Sequence, residues 1–186
     1  GAKTGLVTTD GFRDTLEIGR TRRLIGGLFD IKFVRPKPLV SRDLRIEVDE
    51  RVSADGTVLE SVDNVDFGPI VEKFRENGVE AIAVAFMNAY RNSENETKAL
   101  EKIQALAGDV PVCTSTTVVP EKGEFERFST CVLNAYLTPV VTTYLETLAG
   151  ELEGQGIAAP VSVMGSNGGV MTLDQAAKFA AGTFLS

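Results

Sequence analysis

Histidine and tryptophan are absent from the 186 residues, and cysteine occurs twice, as Cys113 and Cys131. The missing imidazole removes the base from any Ser-His-Asp or Cys-His catalytic arrangement within this chain. The two cysteines belong to no CxxC pair, so no zinc site of the usual ligand spacing can be assembled. No apolar run approaches membrane-spanning length and the first residues carry no signal-peptide pattern, so no membrane association is expected. An excess of positive charge is also lacking. Nineteen Lys and Arg stand against 26 Asp and Glu, giving a net charge of -7. That balance argues against sequence-independent nucleic-acid binding, in which Lys and Arg must neutralise phosphates. So few cysteines fit a reducing, cytoplasmic setting. The opening GAKTGLVTTDGF has no initiator Met, and both it and the closing AAGTFLS read like the middle of a chain.

What is present is ordinary for a soluble globular protein: 43% hydrophobic and 24% charged residues, in a length that suits one large domain or two small lobes. A local basic excess runs through Arg20, Arg22, Arg23, Lys32, Arg35, Lys37, Arg42 and Arg45, and reads as a solvated basic face. Leu6 to Thr9 is β-rich. Asp10-Gly11 then turns into a short helix with Phe12, Leu16 and Ile18 inward, ended by Gly19. Arg20 to Arg42, with Gly26-Gly27, Pro36 and Pro38, has no clean period and reads as a long irregular connection. Arg45 to Val52 alternates apolar and polar, Ala54-Asp55-Gly56 turns, and Thr57 to Val62 returns, which together predict a β-hairpin.

From Phe67 the pattern changes to α/β. Pro69 suits the first turn of a helix that Asn77-Gly78 stops. "AIAVAFM" (81–87) is almost continuously apolar, as a strand covered on both faces would be. Ser93-Glu94-Asn95-Glu96 predicts a capping box for a helix to about Leu106, and Pro111 to Ser115 is a further strand. The longest helical stretch follows, with Phe125, Phe128, Val132, Tyr136 and Val140 at helical spacing. Pro139 predicts either a kink there or a second helix capped by Thr138. Val161 to Met164 reads as a buried strand, and Thr172-Leu173-Asp174-Gln175 as a capping box opening a helix to about Ala181.

Three stretches could carry chemistry. Ser166-Asn167-Gly168-Gly169, between a strand and a helix, would offer hydroxyl, amide and exposed backbone groups to a ligand at a strand's carboxyl end, or form only a tight turn. It is neither a Walker A loop nor GxGxxG. Glu126, Arg127, Thr130 and Asn134 recur at spacings of three and four, so they would line a cleft or simply form the polar side of an amphipathic helix. Arg13, Arg20 and Arg22 could bind a carboxylate or phosphate, or pair with Asp14 and Glu17 on the surface.

Several segments together resemble the hydantoinase A / 5-oxoprolinase family, which includes large subunits of acetone and acetophenone carboxylases. They are "GLVTTDGFRDTLEIGR" (5–20), "DERVSADGTVLE" (49–60), "VEAIAVAFMNAYRNSENE" (79–96), "VVPEKGEFERFSTCVLNAYLTP" (118–139) and "VMGSNGGVMT" (163–172). The resemblance implies an α/β fragment of an actin-like ATPase, ribonuclease H-like two-lobe fold. Its mixed sheet would have flanking helices and one β-hairpin. Residues 1–115 would form the C-terminal part of the hydantoinase/oxoprolinase N-terminal domain and 116–186 the start of the hydantoinase A domain. It implies a parent enzyme that uses ATP and Mg²⁺ to open a cyclic amide or imide ring. The alternatives are a ketone carboxylase subunit or a non-enzymatic interaction module on the same scaffold. A hydantoinase B-type subunit or domain is an implied partner, and a homo-oligomer is a further expectation. The family's first phosphate loop would precede Gly1 and its second would begin near Ser186, so the fragment alone is expected to be inactive. Ser166, Asn167, Glu126, Arg127 and Asn134 are the candidate catalytic residues, Gly168 and Gly169 the candidate cofactor contacts, and no metal ligand is assigned. Family members often carry a His-Glu pair where this chain has Asn95-Glu96, and often Tyr where it has Phe125.

Overall fold

Two fully buried strands set the frame. Thr4–Thr9 (β1) and Ala81–Ala85 (β5) bury every one of their residues, which requires cover on both faces of the sheet they form. In the computed structural model, which describes residues 1–18, 36–157, 159–165 and 168–183, these strands are the centre of a four-stranded sheet. Its order is β2 (Arg45–Val48), β1, β5, β6 (Val112–Thr114). Every pair in it is parallel, with Leu6 opposite both Arg45 and Ala83, and Val84 opposite Thr114.

Cover comes from three helices. Gly68–Glu76 (α2) brings Phe74 against Gly5 so closely that a Cβ there would lie 2.8 Å from the ring. Gly5 is therefore a close-approach glycine. Glu94–Ala107 (α3) packs on β5 and β6, and Glu124–Gly154 (α5) packs on β5 and β1. Between them Leu6, Val7, Ile82, Val84, Phe74, Ile103 and Phe128 are sealed from solvent.

Four sequence expectations are corrected. The main sheet is purely parallel, not mixed; antiparallel pairing is confined to two separate two-stranded sheets. Arg45 to Val52 is not one hairpin arm. Its first half is β2, an edge of the main sheet, and only Arg51–Val52 (β3) turns back against Val58–Glu60 (β4). Alternation fits either partner, so it could not choose between them. Of the two readings of Pro139, the second helix capped by Thr138 is overturned: Pro139 lies inside α5, which runs on unbroken to Gly154. The Ser93 capping box does not form; Ser93 makes no side-chain cap bond and Glu96 is turned inward instead.

The chain then makes a second hairpin that the sequence reading lacked. Ser162–Met164 (β7) pairs antiparallel with Val170–Thr172 (β8), and Met164 and Val170 are exposed rather than buried. The expected Thr172–Gln175 capping box does form, opening Leu173–Lys178 (α6), followed by Ala180–Thr183 (α7). Short helices Thr15–Ile18 (α1) and Ser115–Val118 (α4) and the 3-10 turns Arg42–Leu44 and Val62–Asn64 complete the described elements, and Ile18 is exposed. No helix among the described residues is long and apolar enough to cross a membrane.

Candidate functional site

The strand order reverses between β1 and β5, since β1 is followed in sequence by its neighbour on one side and later by its neighbour on the other. In open parallel α/β sheets the crevice outside the carboxyl ends at such a point is where ligands bind. The residues there are Thr9, at the end of β1, and Phe86, Met87 and Asn88, just past β5. Asn88 has φ 57°, the one non-glycine positive φ among the described residues. That conformation is uncommon for a side-chain-bearing residue. It is held by its amide Nδ2 donating to the Val52 carbonyl at 2.9 Å and its N–H donating to Glu124 at 2.8 Å.

Beneath the crevice lies a chain of buried polar groups. The Thr9 hydroxyl donates to Glu50 and accepts from the Met87 N–H at 2.9 Å. The other Glu50 oxygen accepts from Asn95 Nδ2 at 2.8 Å. Asn95 also donates to the Glu60 carbonyl and accepts from the Val62 N–H. Burial pushes the Glu50 carboxyl above its ordinary pKa, against the bonds from Thr9 and Asn95.

A second buried group adjoins it. Glu96 and Arg127 have side chains with no solvent exposure and lie 3.4 Å apart. Glu96 accepts from the Phe86 N–H at 2.9 Å, from the Thr116 N–H at 2.9 Å and hydroxyl at 2.7 Å, and from Ser115. Arg127 donates to the Phe86 carbonyl at 2.7 Å, to Glu124 at 2.6 Å and to Ser115. Burial again raises the carboxyl pKa of Glu96, with the Ser115 bond opposing it most. A carboxylate and guanidinium so buried persist only when paired and hydrogen-bonded. This pair ties the ends of β5 and β6 to the first turns of α3 and α5. Arg127 Nε and Thr8 Oγ1 are buried with no hydrogen-bond partner among the described residues.

The structure divides the residues singled out from sequence. Arg127 is buried in the cluster just described. Asn134, two turns along the same helix, is buried too, but its amide is spent holding the α6–α7 junction: Nδ2 donates to the Lys178 carbonyl at 2.9 Å and Oδ1 accepts from the Ala181 N–H at 3.1 Å. Glu126 is exposed on the other side of α5. Thr130 donates to the Glu126 carbonyl. Gly168 and Gly169 close the β7–β8 hairpin, where Gly165 N–H donates to the Gly169 carbonyl at 2.7 Å and Gly168 N–H to the Gly165 carbonyl at 2.9 Å. Ser166 and Asn167, like Arg20 and Arg22, lie outside the described residues. Arg13 pairs with Glu47. The glycines thus follow a hairpin strand rather than a strand of the main sheet.

Sequence reasoning missed Thr9, Glu50, Ser115 and the inward role of Glu96. Glu96 has the spacing of a capping-box residue, and that local reading masked the tertiary one. The pair Thr8-Thr9 closing the β-rich run after Leu6-Val7 was the available signal for Thr9.

Two cavities flank the sheet edges. One of about 540 Å³ runs beside β6, between Leu100 and Gln104 of α3, Asn134 and Thr138 of α5, and Lys178 of α6. The other, about 480 Å³, is lined by Glu47, Asp49, Glu60 and Asp66. Even so, no group of three or more His, Cys, Asp or Glu side chains among the described residues could hold a metal ion.

Comparison with known proteins gives a consistent picture. The model of the hydantoinase/oxoprolinase N-terminal region matches residues 1–107, and that of hydantoinase/oxoprolinase matches residues 127–186. The chain is 35% identical to the caprolactamase subunit alpha of Pseudomonas jessenii over 91% of its length, covering 24% of that protein. It is 29% identical to the acetophenone carboxylase gamma subunit of Aromatoleum aromaticum, again over 91% of its length and covering 25% of that protein. The crystal structure of the ATP-dependent caprolactamase of Pseudomonas jessenii superposes with a TM-score of 0.84, at 35% identity, over 91% of this chain and 25% of that one. The chain spans about a quarter of the length of the curated relatives it matches.

Proposed function

Since the chain belongs to the hydantoinase/oxoprolinase family, we propose that the whole protein is an ATP-dependent hydrolase that opens a cyclic amide or imide ring. The observation that carries this reading is the 35% identity to a caprolactamase subunit across nearly the whole chain. The 29% identity to a carboxylase subunit supports a second reading, carboxylation of a ketone on the same scaffold. On either reading the chain supplies part of an actin-like two-lobe frame, with residues 1–115 ending the N-terminal region and 116–186 beginning the next. A cytoplasmic setting and a hydantoinase B-type partner belong to the same proposal, the relatives being named as subunits.

The crevice at the carboxyl ends of β1 and β5 is the proposed face toward substrate. Asn88 and Glu124 form its wall, and the Glu96–Arg127 pair acts behind it as a positioning element. Arg127 and Asn134 serve the site by holding α5 and the α6–α7 junction, whereas Glu126 is turned away from that crevice. Gly168 and Gly169 would meet ligand only where the hairpin faces the rest of the protein, and Ser166 and Asn167 remain proposed ligand contacts. Among the described residues no group of three or more His, Cys, Asp or Glu could hold a metal ion, so no step through Mg²⁺ or ATP is assigned to them. ATP would supply activation of the amide oxygen elsewhere in the whole protein.

The test is ADP release by the whole protein with a panel of lactams, hydantoins and 5-oxoproline, and in parallel with ketones plus bicarbonate. Ring-dependent ADP release with ring-opened product supports the hydrolase. Ketone-dependent ADP release supports the carboxylase, and dependence on neither substrate class overturns both.

A further inference from the structure

The chain's two cysteines stand 18 positions apart in sequence, yet they meet. Cys113 on β6 and Cys131 on α5 bring their sulfurs to 3.8 Å, and each sulfur also lies against the other residue's carbonyl. Both are free thiols. The proposed chemistry uses neither. Cys113 lines the 540 Å³ cavity beside β6, which gives a small oxidant a place to reach it, and Cys131 is sealed behind it.

We infer that Cys113 and Cys131 form an oxidative modification site, in which a hydroperoxide converts the pair to an intramolecular disulfide that a dithiol reverses.

The two thiols are unequal, as such a pair requires. The hydrogen bond from Cys131 draws the Cys113 thiol below its ordinary pKa, with help from Asn134 and against burial. Burial pushes the Cys131 thiol well up. Cys113 is then the attacking sulfur and Cys131 the resolving one. In the first step the Cys113 thiolate attacks a peroxide oxygen. An S–O bond forms, the O–O bond breaks, and the displaced hydroxide takes up the thiol proton as water. Cys113 is now a sulfenic acid. In the second step the Cys131 sulfur attacks the Cys113 sulfur. The S–S bond forms, the S–O bond breaks, and the hydroxide leaves with the Cys131 proton as water. Two thiols and one hydroperoxide thus yield one disulfide, one water and one water or alcohol.

A disulfide holds its sulfurs at about 2.05 Å, so oxidation closes the 3.8 Å gap and ties α5 to β6 at this point. Cys131 lies one helical turn after Arg127 and three residues before Asn134. The tether therefore acts on the same stretch of α5 that carries the buried ion pair.

The experiment exposes the purified chain to hydrogen peroxide and maps its peptides without reduction. The expected result is one linked peptide pair containing Cys113 and Cys131, a mass loss of about 2 Da per chain, and recovery of both thiols with dithiothreitol. The variant C131S should stop at a sulfenic acid on Cys113, captured by dimedone, while C113S should resist oxidation at Cys131 under the same dose. Disulfides between chains, dimedone capture at Cys113 of the unaltered chain without a linked pair, or equal reactivity of Cys131 in C113S would each overturn the inference.

Discussion

The Glu96–Arg127 cluster and the β7–β8 hairpin are opposites in how they use polar atoms. In the cluster, two fully buried charges exchange hydrogen bonds with the ends of two strands and the starts of two helices, Glu96 accepting and Arg127 donating. At the hairpin, Met164 is 64% exposed and Val170 69%, and the turn is closed by backbone bonds. The first region has many partners and little freedom; the second has surface to spare. The difference teaches where a change should propagate. A substitution in the cluster disturbs four elements together, whereas one in the hairpin is felt locally.

The sharpest way to break this contrast is at Arg127. Arg127→Met leaves Glu96 buried without its partner, and we expect a loss of about 3–5 kcal/mol in urea denaturation. The double variant Glu96→Leu/Arg127→Met should recover much of that loss, because no lone charge remains. A cost below about 1 kcal/mol for the single change would remove the pair from its anchoring role. Asn134→Ala comes next. It leaves the Lys178 carbonyl and Ala181 N–H without their partner, at an expected cost of about 1–3 kcal/mol, and amide exchange should quicken across 173–183 first.

Glu50 gives a pH-dependent effect of smaller size. Its folded pKa lies above the ordinary 4.5, so the folded protein holds this proton more tightly than the unfolded chain. Its stabilising contribution is complete below 4.5 and is lost as pH rises through the folded value. Glu50→Gln removes that loss, so the variant should gain on the parent in urea midpoint between pH 4.5 and 7. A constant difference across that range would refute the assignment. The smallest effect is expected at Gly168, whose φ is 81° with no atom within 4 Å of an added Cβ. Gly168→Ala should cost only about 1–2 kcal/mol, from the left-handed backbone alone, and leave the Glu96–Arg127 contacts intact.

Much of this fold was legible before the structure. The unbroken apolar run 81–87 announced a strand covered on both sides, and Thr172 with Gln175 announced its helix start. The candidate site was less legible, for physical reasons. Glu96 satisfies a local rule at the third position of a helix, and only the positions of Ser115, Thr116 and Arg127 decide that it turns inward. Glu50 falls between β2 and β3, within a pattern that alternates equally well for a hairpin arm and for a parallel edge strand. The glycines of 165–169 drew attention because backbone freedom is visible in sequence, while a buried salt bridge depends on contacts 31 residues apart.

The position of β1 has a consequence for how the chain comes off the ribosome. This strand is made before every strand it pairs with, yet it is central in its sheet, and its neighbours include β5 and the middle of α5. The Ala2 N–H donates to the Tyr136 carbonyl at 2.9 Å. At ~5–20 residues per second, roughly 7–27 s of synthesis separate these two partners. Through that interval a β-forming segment with free edges waits for its cover, the condition under which strands pair with the wrong chain. Nascent chains that end between β1 and about residue 140 should therefore be the ones most dependent on chaperones.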